Sequence, residues 1–353
     1  MKNHDESSSM MPADFDPNGP SDADAGIFGL PHTAEQARVV LVQAPFEATT
    51  SYGGGTSAGP RAILQASQQI DLFDVEVGRP YESGIALLDA DRRIVEWNDK
   101  SAALAQRVIE VGGDVAADES LQQALLQVND WCVAVDDCIE QQASQWLQHG
   151  KLVGLIGGDH ATAYGAIAAH AKHYPGMGIL HIDAHADLRP AYEGFTRSHA
   201  SVMWNVVQNL PQVERLVQVG IRDLCEQEHD LIAASGGRVQ AFYDADMVRE
   251  RFKGTTWSDQ MARILEPLPQ DVYVSFDIDG LDPLLCPHTG TPVPGGLSFH
   301  QATALIGEVV RSGRRIIGFD VVEVVPGPPG DEWDGNVGAR ILYKLIGWAL
   351  KSV

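Results

Sequence analysis

Three short runs of acidic residues and histidines, each at the end of an apolar stretch, constrain this chain more than any other feature. The runs are Gly-Gly-Asp-His at residues 157–160, His-Ile-Asp-Ala-His-Ala-Asp at 181–187 and Ser-Phe-Asp-Ile-Asp-Gly-Leu-Asp at 275–282. The apolar stretches have the composition of buried parallel strands: residues 152–156, 177–182 and 272–276. Side chains at the carboxyl ends of parallel strands meet in one crevice, so we expect the three runs to converge.

The converging runs would bring together six possible metal ligands: His160, Asp183, His185, Asp187, Asp277 and Asp279. This set is too large for one tetrahedral zinc ion, and it contains no thiolate. Mixed carboxylate and imidazole ligation suits Mn²⁺, and Ni²⁺ is also compatible. The sequence therefore predicts a pair of divalent ions, which at a spacing of roughly 3.5–4 Å can generate a nucleophile from water at neutral pH.

Each run on its own also has a structural explanation. His160 follows an aspartate and could cap a helix or pack in the core, and the aspartates of residues 183–187 could begin a helix or turn. Residues 275–282 could form a turn, although they lack the spacing of an EF-hand. Alternation along a strand would send Asp183 and His185 to the same side. The joint occurrence of all three runs at strand ends favours a metal centre.

The same runs resemble the signatures of the ureohydrolases, the family of arginases, agmatinases and guanidine hydrolases. Two further segments extend the resemblance, which covers the chain from residue 26 to the C-terminus: Thr-Gly-Thr-Pro-Val-Pro-Gly-Gly at residues 289–296 and Asp-Val-Val-Glu-Val-Val-Pro at 320–326. The resemblance implies an arginase-like, single-domain three-layer α/β/α fold with a mainly parallel sheet. It also implies a homo-oligomer, either a trimer or a hexamer, with a mixed oligomer containing a paralogue as an alternative.

The resemblance also assigns roles to the metal ligands. One ion, Mn²⁺ or Ni²⁺, would be held by His160, Asp183, Asp187 and Asp277. The second would be held by Asp183, His185, Asp277 and Asp279, so that Asp183 and Asp277 bridge the two ions.

Three residues would act on the substrate. Asp187 would hold the attacking water and pass a proton to the leaving nitrogen. Glu323 matches the carboxylate that binds the planar guanidinium group. His199 matches a histidine at the mouth of the site, where an imidazole can shuttle protons near neutral pH.

Departures from the arginase pattern bear on the substrate. Cys225 stands where arginases carry a second aspartate, Arg189 replaces an asparagine, and His288 replaces a glycine. Arg189 would repel the distal amine of agmatine if its side chain points inward. Met203 and Trp204 favour a smaller and more apolar pocket. This pattern resembles the guanidine and alkylguanidine hydrolases.

We therefore expect metal-dependent hydrolysis of a C–N bond in a small cationic guanidino compound, releasing urea plus ammonia or an amine. The compound would be guanidine or an N-alkylguanidine, and agmatine is the main alternative substrate. Formiminoglutamate hydrolysis and a non-catalytic subunit of a mixed oligomer are more remote alternatives. A non-catalytic subunit would be expected to lack metal ligands, and all six candidate ligands are present here.

Composition limits the remaining classes. The net charge of −23 argues against a nucleic-acid partner, and no apolar run reaches the length of a membrane span. No signal-peptide pattern or paired-cysteine motif is visible, which favours a cytoplasmic protein. Residues 1–25 are acidic and polar and predict a flexible N-terminal arm, followed by one domain over residues 26–353.

Strand and helix patterns alternate along that domain, which is typical of a parallel sheet covered on both faces. The predicted strands are residues 37–43, 84–97, 152–156, 177–182, 215–220, 238–243, 271–276 and 316–320. The predicted helices are residues 59–74, 118–149 with a possible break, 161–173, 198–208, 222–234, 258–265, 298–312 and 333–350.

Overall fold

The computed structural model describes residue 11, residues 15–21 and residues 25–352. Most of the predicted N-terminal arm lies outside the described residues, so its flexibility stays a prediction. Phe15, from the described part of that arm, places its ring 6.5 Å from the ring of Tyr81, centroid to centroid. At least this part of the arm therefore contacts the domain.

A single eight-stranded parallel sheet runs through the described residues. Its strands in chain order are β1 (Val39–Ala44), β2 (Ile85–Leu87), β3 (Leu152–Gly157), β4 (Met177–Ile182), β5 (Val213–Ile221), β6 (Val239–Tyr243), β7 (Asp271–Asp277) and β8 (Arg315–Val322). Across the sheet the order is β2-β1-β3-β8-β7-β4-β5-β6, and every neighbouring pair is parallel. The predicted α/β class is confirmed.

Helices cover both faces of the sheet and complete the three layers. The described helices are α1 (Gly59–Ser67), α2 (Arg92–Ile109), α3 (Glu119–Gln148), α4 (Ala163–His173), α5 (Val202–Asn209), α6 (Glu226–Ala234), α7 (Asp244–Phe252), α8 (Trp257–Leu265), α9 (Phe299–Arg311) and α10 (Trp333–Ser352). Buried apolar residues of α1, α8, α9 and α10 form one core cluster with the sheet. Those of α2, α3, α4 and α5 form another. No described helix is both long enough and apolar enough to cross a membrane.

One predicted strand is wrong over most of its length. The strand predicted for residues 84–97 ends at Leu87, because Asp91 caps a helix instead. The Asp91 carboxylate accepts a hydrogen bond from the backbone N–H of Arg93 at 2.9 Å, as expected of an N-cap. The buried Ile94 then belongs to the inner face of α2. The helix predicted over residues 118–149 forms α3 without a break, and α7 was not predicted at all.

The strand order explains how the sequence runs come together. β3, β8, β7 and β4 are adjacent at the centre of the sheet, and their carboxyl ends lead into His160, Glu323, Asp279 and Asp183 respectively. Residues that are more than 100 positions apart in sequence therefore share one edge. The turn after β3 is packed tightly, since a Cβ atom on Gly158 would lie 2.1 Å from the carbonyl oxygen of Phe46.

We expect Gly158→Ala to destabilise the fold by about 1–3 kcal/mol, the usual cost of overpacking, and to displace His160. The opposing atom is backbone and cannot rotate away. Denaturant unfolding of the purified variant measures the change in free energy. Gly54→Ala is the matched control, because a Cβ there meets no atom within 4 Å. Equal stability of the two variants would contradict the prediction.

Candidate metal centre

His160 lies among three carboxylates at the centre of the site. Its Nδ1 atom is 3.0 Å from Asp183 Oδ2, 3.1 Å from Asp187 Oδ2 and 3.2 Å from Asp277 Oδ2. The side chain is 1% exposed, yet Nδ1 has no hydrogen-bond partner among the described residues. A buried nitrogen lone pair facing three carboxylate oxygens without a donor between them is the arrangement that a cation requires.

A second group overlaps the first through Asp183. His185 Nδ1 is 3.0 Å from Asp279 Oδ2 and 3.5 Å from Asp183 Oδ1. The two oxygens of Asp183 therefore face different histidines, Oδ2 towards His160 and Oδ1 towards His185. One carboxylate placed between two clusters of donor atoms is the geometry of a bridging ligand.

Turns beyond the strand ends, and not alternation within a strand, direct these carboxylates. β4 ends before Asp183, and Asp279 lies in the short 3₁₀ turn after β7. One oxygen of each of three carboxylates accepts a backbone N–H. Asp183 Oδ1 accepts from His185 at 2.6 Å and Asp277 Oδ1 from Asp279 at 2.8 Å, whereas Asp279 Oδ1 accepts from Ala184, in the turn after β4, at 3.0 Å. These bonds fix the rotamers and leave the second oxygens facing the cluster. The expectation that alternation along a strand sends Asp183 and His185 to the same side is wrong about the cause, because β4 ends before both residues. The two side chains do nevertheless converge.

Asp187 completes the cluster from an unusual backbone conformation. Its φ angle is 54°, in the left-handed region that costs a non-glycine residue about 1–3 kcal/mol. Burial raises the pKa of Asp187 to about 6, and the negative charge of Asp183 adds to the effect. Burial likewise raises the pKa of Asp277, together with the charges of Asp279 and Asp183. Because the buried acids repel one another, bound cations would relieve an unfavourable charge density, and the donor set fits divalent ions.

Other side chains orient the ligands and were not predicted. His160 Nε2 lies 2.9 Å from Ser275 Oγ, which donates to Asp320 Oδ1 at 3.1 Å. Hydrogen bonds of this kind to the second ring nitrogen hold a metal-binding imidazole in place.

His181, which the sequence left as a core or surface residue, contacts the carboxylate of Asp183. Its Nε2 lies 2.7 Å from Asp183 Oδ2, and its Nδ1 lies 3.0 Å from Gln218 Nε2. Gln218 Nε2 also donates to the carbonyl oxygen of Ala186 at 2.7 Å, which fixes the amide orientation. The amide must then donate to Nδ1, so the proton of His181 is on Nε2 and points at Asp183. Its position two residues before Asp183 was the available sequence signal.

Glu323 lies beside the cluster at the end of β8. Its Oε1 accepts the backbone N–H of His160 at 2.8 Å, and its own backbone N–H donates to the carbonyl oxygen of Gly158 at 2.8 Å. The residue is 5% exposed, and burial, reinforced by the charge of Asp159, raises the pKa of its carboxyl group. A Cβ on Gly290 would come within 3.3 Å of Oε2, so the glycine keeps that oxygen accessible.

A cavity of about 180 Å³ forms the mouth of the site. Its lining includes two predicted ligands, the predicted mouth histidine and a group of residues further out: His185, Asp187, His199, Arg189, Tyr192 and Glu228. Arg189 lines this mouth, and its side chain is 36% exposed. Neither Met203 nor Trp204 lines this cavity. Met203 is fully buried in the core. The expectation that Met203 makes the pocket more apolar is therefore wrong.

The two other departures from the arginase pattern have structural partners. Cys225 is the N-cap residue of α6, and its N–H donates to Glu228 Oε2 at 2.8 Å. His288 Nδ1 lies 2.9 Å from Asp334 Oδ2 at the start of α10, and its N–H donates to Asp334 Oδ1 at 3.0 Å. His288 thus ties the loop after β7 to α10.

A cluster of histidine and aspartate at the carboxyl edge of a parallel sheet is typical of metal-dependent hydrolases. Residues 37–347 match the Arginase family, and the chain belongs to that family. The predicted membership of the ureohydrolases is confirmed.

Relatives share most of their length with this chain. An N(1)-aminopropylagmatine ureohydrolase from Thermus thermophilus is 31% identical, over 89% of this chain and 90% of the relative. An agmatinase from Bacillus subtilis is 28% identical, over 88% of this chain and 92% of the relative. The solved structure of proclavaminate amidino hydrolase from Streptomyces clavuligerus is 23% identical in sequence and superposes with a TM-score of 0.69. The match covers 95% of this chain and 100% of that protein's chain. This last likeness supports the fold alone.

We expect His199 to stay neutral at pH 7. Burial, together with the nearby His185 and His160, lowers the pKa of His199 to about 4, which disfavours the protonated ring. A neutral imidazole can hydrogen-bond, but a pKa this low does not favour the proton shuttle near neutral pH that the resemblance implies for His199. The ¹H–¹³C NMR signal of the His199 ring, assigned with a His199→Asn variant, should not shift between about pH 6 and 8. A titration centred near 6.5 would contradict this expectation.

Proposed function

We propose that the protein hydrolyses a C–N bond of a small guanidino compound, releasing urea plus ammonia or an amine. The observation that carries the proposal is the double cluster in which Asp183 faces both His160 and His185. The ureohydrolase names of two relatives support the same reaction class. Guanidine and N-alkylguanidines are the substrates that the departures from the arginase pattern favour, among them Cys225 and His288.

Two divalent ions per chain, Mn²⁺ or Ni²⁺, would be held by the six predicted ligands: His160, Asp183, His185, Asp187, Asp277 and Asp279. When bound, they would lower the pKa of a water molecule and so supply the nucleophile. Imidazole and carboxylate ligation is compatible with either ion.

The remaining chemistry belongs to the side chains. Glu323 Oε2 would accept hydrogen bonds from the planar guanidinium group and orient its carbon towards the cluster, since a carboxylate matches two parallel N–H donors. Asp187 would orient the attacking water and transfer a proton to the leaving nitrogen. His199, held neutral, would hydrogen-bond at the mouth. These roles are proposals that rest on position and donor chemistry.

Substrate size is the second element of the proposal. The mouth cavity of about 180 Å³ is smaller than the roughly 300–1,000 Å³ that drug-sized ligands occupy. Such a volume fits a small guanidino compound, whether guanidine, a short alkylguanidine or agmatine. Agmatine is a second candidate, because one relative is named an agmatinase and another acts on an aminopropyl derivative by name. A homo-oligomer, trimer or hexamer, stays a prediction.

We expect urea release from guanidine or a methylated guanidine in the presence of Mn²⁺ or Ni²⁺. A colorimetric urea assay over guanidine, methylguanidine, agmatine and arginine, with each metal added separately to metal-free protein, measures it. Turnover of agmatine alone would contradict the small-substrate proposal. Absence of urea from every compound would contradict the reaction itself.

The metal dependence is tested with Asp183→Ala, which removes the shared carboxylate. Bound metal, measured by elemental analysis, should fall from two ions per chain, and activity should fall more than about 100-fold, beyond the loss usual for outer-shell changes. Asp246→Ala is the matched control, because its side chain is 58% exposed and pairs with Arg249 on α7. That control should keep both ions. Unchanged metal content in Asp183→Ala would argue against the bridging role.

We expect Glu323→Gln to weaken substrate use without loss of metal. A hydrogen bond to a charged group contributes about 1.5–3 kcal/mol, so kcat/KM should fall roughly 10- to 100-fold. The glutamine carbonyl oxygen can still accept the N–H of His160, so the fold should persist. Kinetics and metal analysis of the same preparation separate the two effects. Retained kcat/KM would remove Glu323 from the binding site.

A further inference from the structure

Glu47, a half-buried residue that the proposed reaction does not use, holds the glycine-rich loop of residues 51–59. Its Oε2 atom accepts the N–H of Gly55 at 2.6 Å, the hydroxyl of Thr56 at 3.0 Å and the N–H of Ser57 at 3.2 Å. Its Oε1 atom accepts the hydroxyl of Ser57 at 2.8 Å. Hydrogen bonds to a carboxylate are stronger than those between neutral groups, so this side chain fixes the loop just after β1.

The same loop packs against the backbone that follows Glu323. A Cβ atom on Gly59 would lie 2.4 Å from the carbonyl oxygen of Val324, and a Cβ atom on Gly55 would lie 3.1 Å from Val325 Cγ1. Contacts this close leave no room for a side chain between the two segments. The glycine-rich loop is therefore the surface against which the segment after β8 rests.

Gly290 connects the tip of this loop with the carboxylate of Glu323. A Cβ atom on Gly53 would lie 2.5 Å from the carbonyl oxygen of Gly290. A Cβ atom on Gly290 would in turn lie 3.3 Å from Glu323 Oε2 and 3.7 Å from the carbonyl oxygen of Tyr52, which lines the mouth. A displacement of the loop would therefore change the space beside Oε2, the atom proposed to bind the guanidinium group.

Glu323 needs such support because its backbone is strained. Its φ angle is 62°, in the left-handed region, which a non-glycine residue keeps only when its surroundings impose it. Its N–H donates to the carbonyl oxygen of Gly158 at 2.8 Å, and its carbonyl oxygen accepts the hydroxyl of Thr289 at 2.8 Å. These bonds and the packing of the glycine-rich loop together impose this conformation.

We propose that Glu47 is a positioning residue for Glu323: it fixes the glycine-rich loop, and the loop fixes the carboxylate that receives the guanidinium group. Glu47 lies outside the lining of the mouth, so it acts on the substrate only through the loop. A guanidinium group bound by Glu323 is held in the ground state and the transition state alike, so misplacing the carboxylate should raise KM more than it lowers kcat. The inference rests on the role proposed for Glu323 in guanidino hydrolysis.

The kinetic test compares Glu47→Ala with Glu47→Gln, whose amide oxygen can still accept the bonds from Gly55 and Ser57. KM is measured for methylguanidine and for agmatine, because both present the same guanidinium group. We expect KM to rise about tenfold in Glu47→Ala, the factor for one lost hydrogen bond to a charged group, with kcat nearly unchanged. Glu47→Gln should restore KM, and Glu96→Ala, with its side chain 66% exposed, is the control. Equal losses in both Glu47 variants would overturn the inference.

A double-mutant cycle with Glu323→Gln distinguishes positioning from a general loss of structure. If Glu47 acts through Glu323, Glu47→Ala should lower kcat/KM about tenfold in the wild type but less than about threefold when residue 323 is glutamine. Losses that simply multiply in the double variant would contradict the proposal. Metal analysis and thermal unfolding of all four proteins are measured on the same preparations.

Moving the loop from its other end gives a second route if Glu47→Ala does not fold. Gly53→Ala places a methyl group against the carbonyl oxygen of Gly290, so KM should rise as in Glu47→Ala. Gly54→Ala is the matched control, because a Cβ there meets no atom within 4 Å. An unchanged KM in Gly53→Ala would show that the loop does not position the carboxylate.

Hydrogen exchange tests the inference without catalysis. In Glu47→Ala, the amides of Gly55 and Ser57 and that of Glu323 should exchange at least about tenfold faster than in the wild type, measured by mass spectrometry of overlapping peptides. Exchange in Glu96→Ala should match the wild type. Absence of urea from every guanidine would remove the proposed reaction, yet this measurement would still decide whether Glu47 holds residue 323. Unchanged exchange at Glu323 would refute the inference while the reaction stands.

Discussion

The crowding of buried carboxylates around two imidazoles is the constraint on which the rest of the structure depends. Asp183, Asp187, Asp277 and Asp279 are each at most 5% exposed, and burial of like charges so close together is unfavourable without cations. The backbone N–H bonds to one oxygen of three of these groups reduce that cost only in part. Metal binding and the ordering of these turns are therefore expected to be coupled, because the same oxygens serve both.

The sheet solves the problem of assembling such a cluster from distant segments. The four strands that carry its turns are neighbours, β3-β8-β7-β4, although β3 and β8 are separated by four other strands in the sequence. Right-handed helical crossovers make this order possible and place all four carboxyl ends at one edge. Rigid strands behind the turns then keep donor atoms within the few tenths of an ångström that metal ligation tolerates.

Sequence patterns predicted those parts of the fold that depend on local composition. β3, β4 and β7 are continuous apolar runs and were placed within one or two residues, whereas residues 84–97 failed because the cap at Asp91 outweighs a short apolar stretch. The six candidate ligands could be singled out from the sequence because three runs of aspartate and histidine occur together at predicted strand ends. Gln218 and Glu228 were missed because their contacts follow from distances between separate segments, which neither spacing nor composition encodes. His181 could have been found from its position two residues before Asp183.

One loop links the chemistry to the mouth. Asp187 takes its left-handed conformation immediately before Leu188, whose N–H is held by Glu228, and Arg189 follows directly. The group proposed to carry the proton and a side chain that lines the mouth are thus two residues apart on a backbone held by one buried carboxylate. A shift of this loop would move both Asp187 and Arg189. The backbone hydrogen bond to Glu228 therefore keeps the cluster and the wall of the mouth in register with each other.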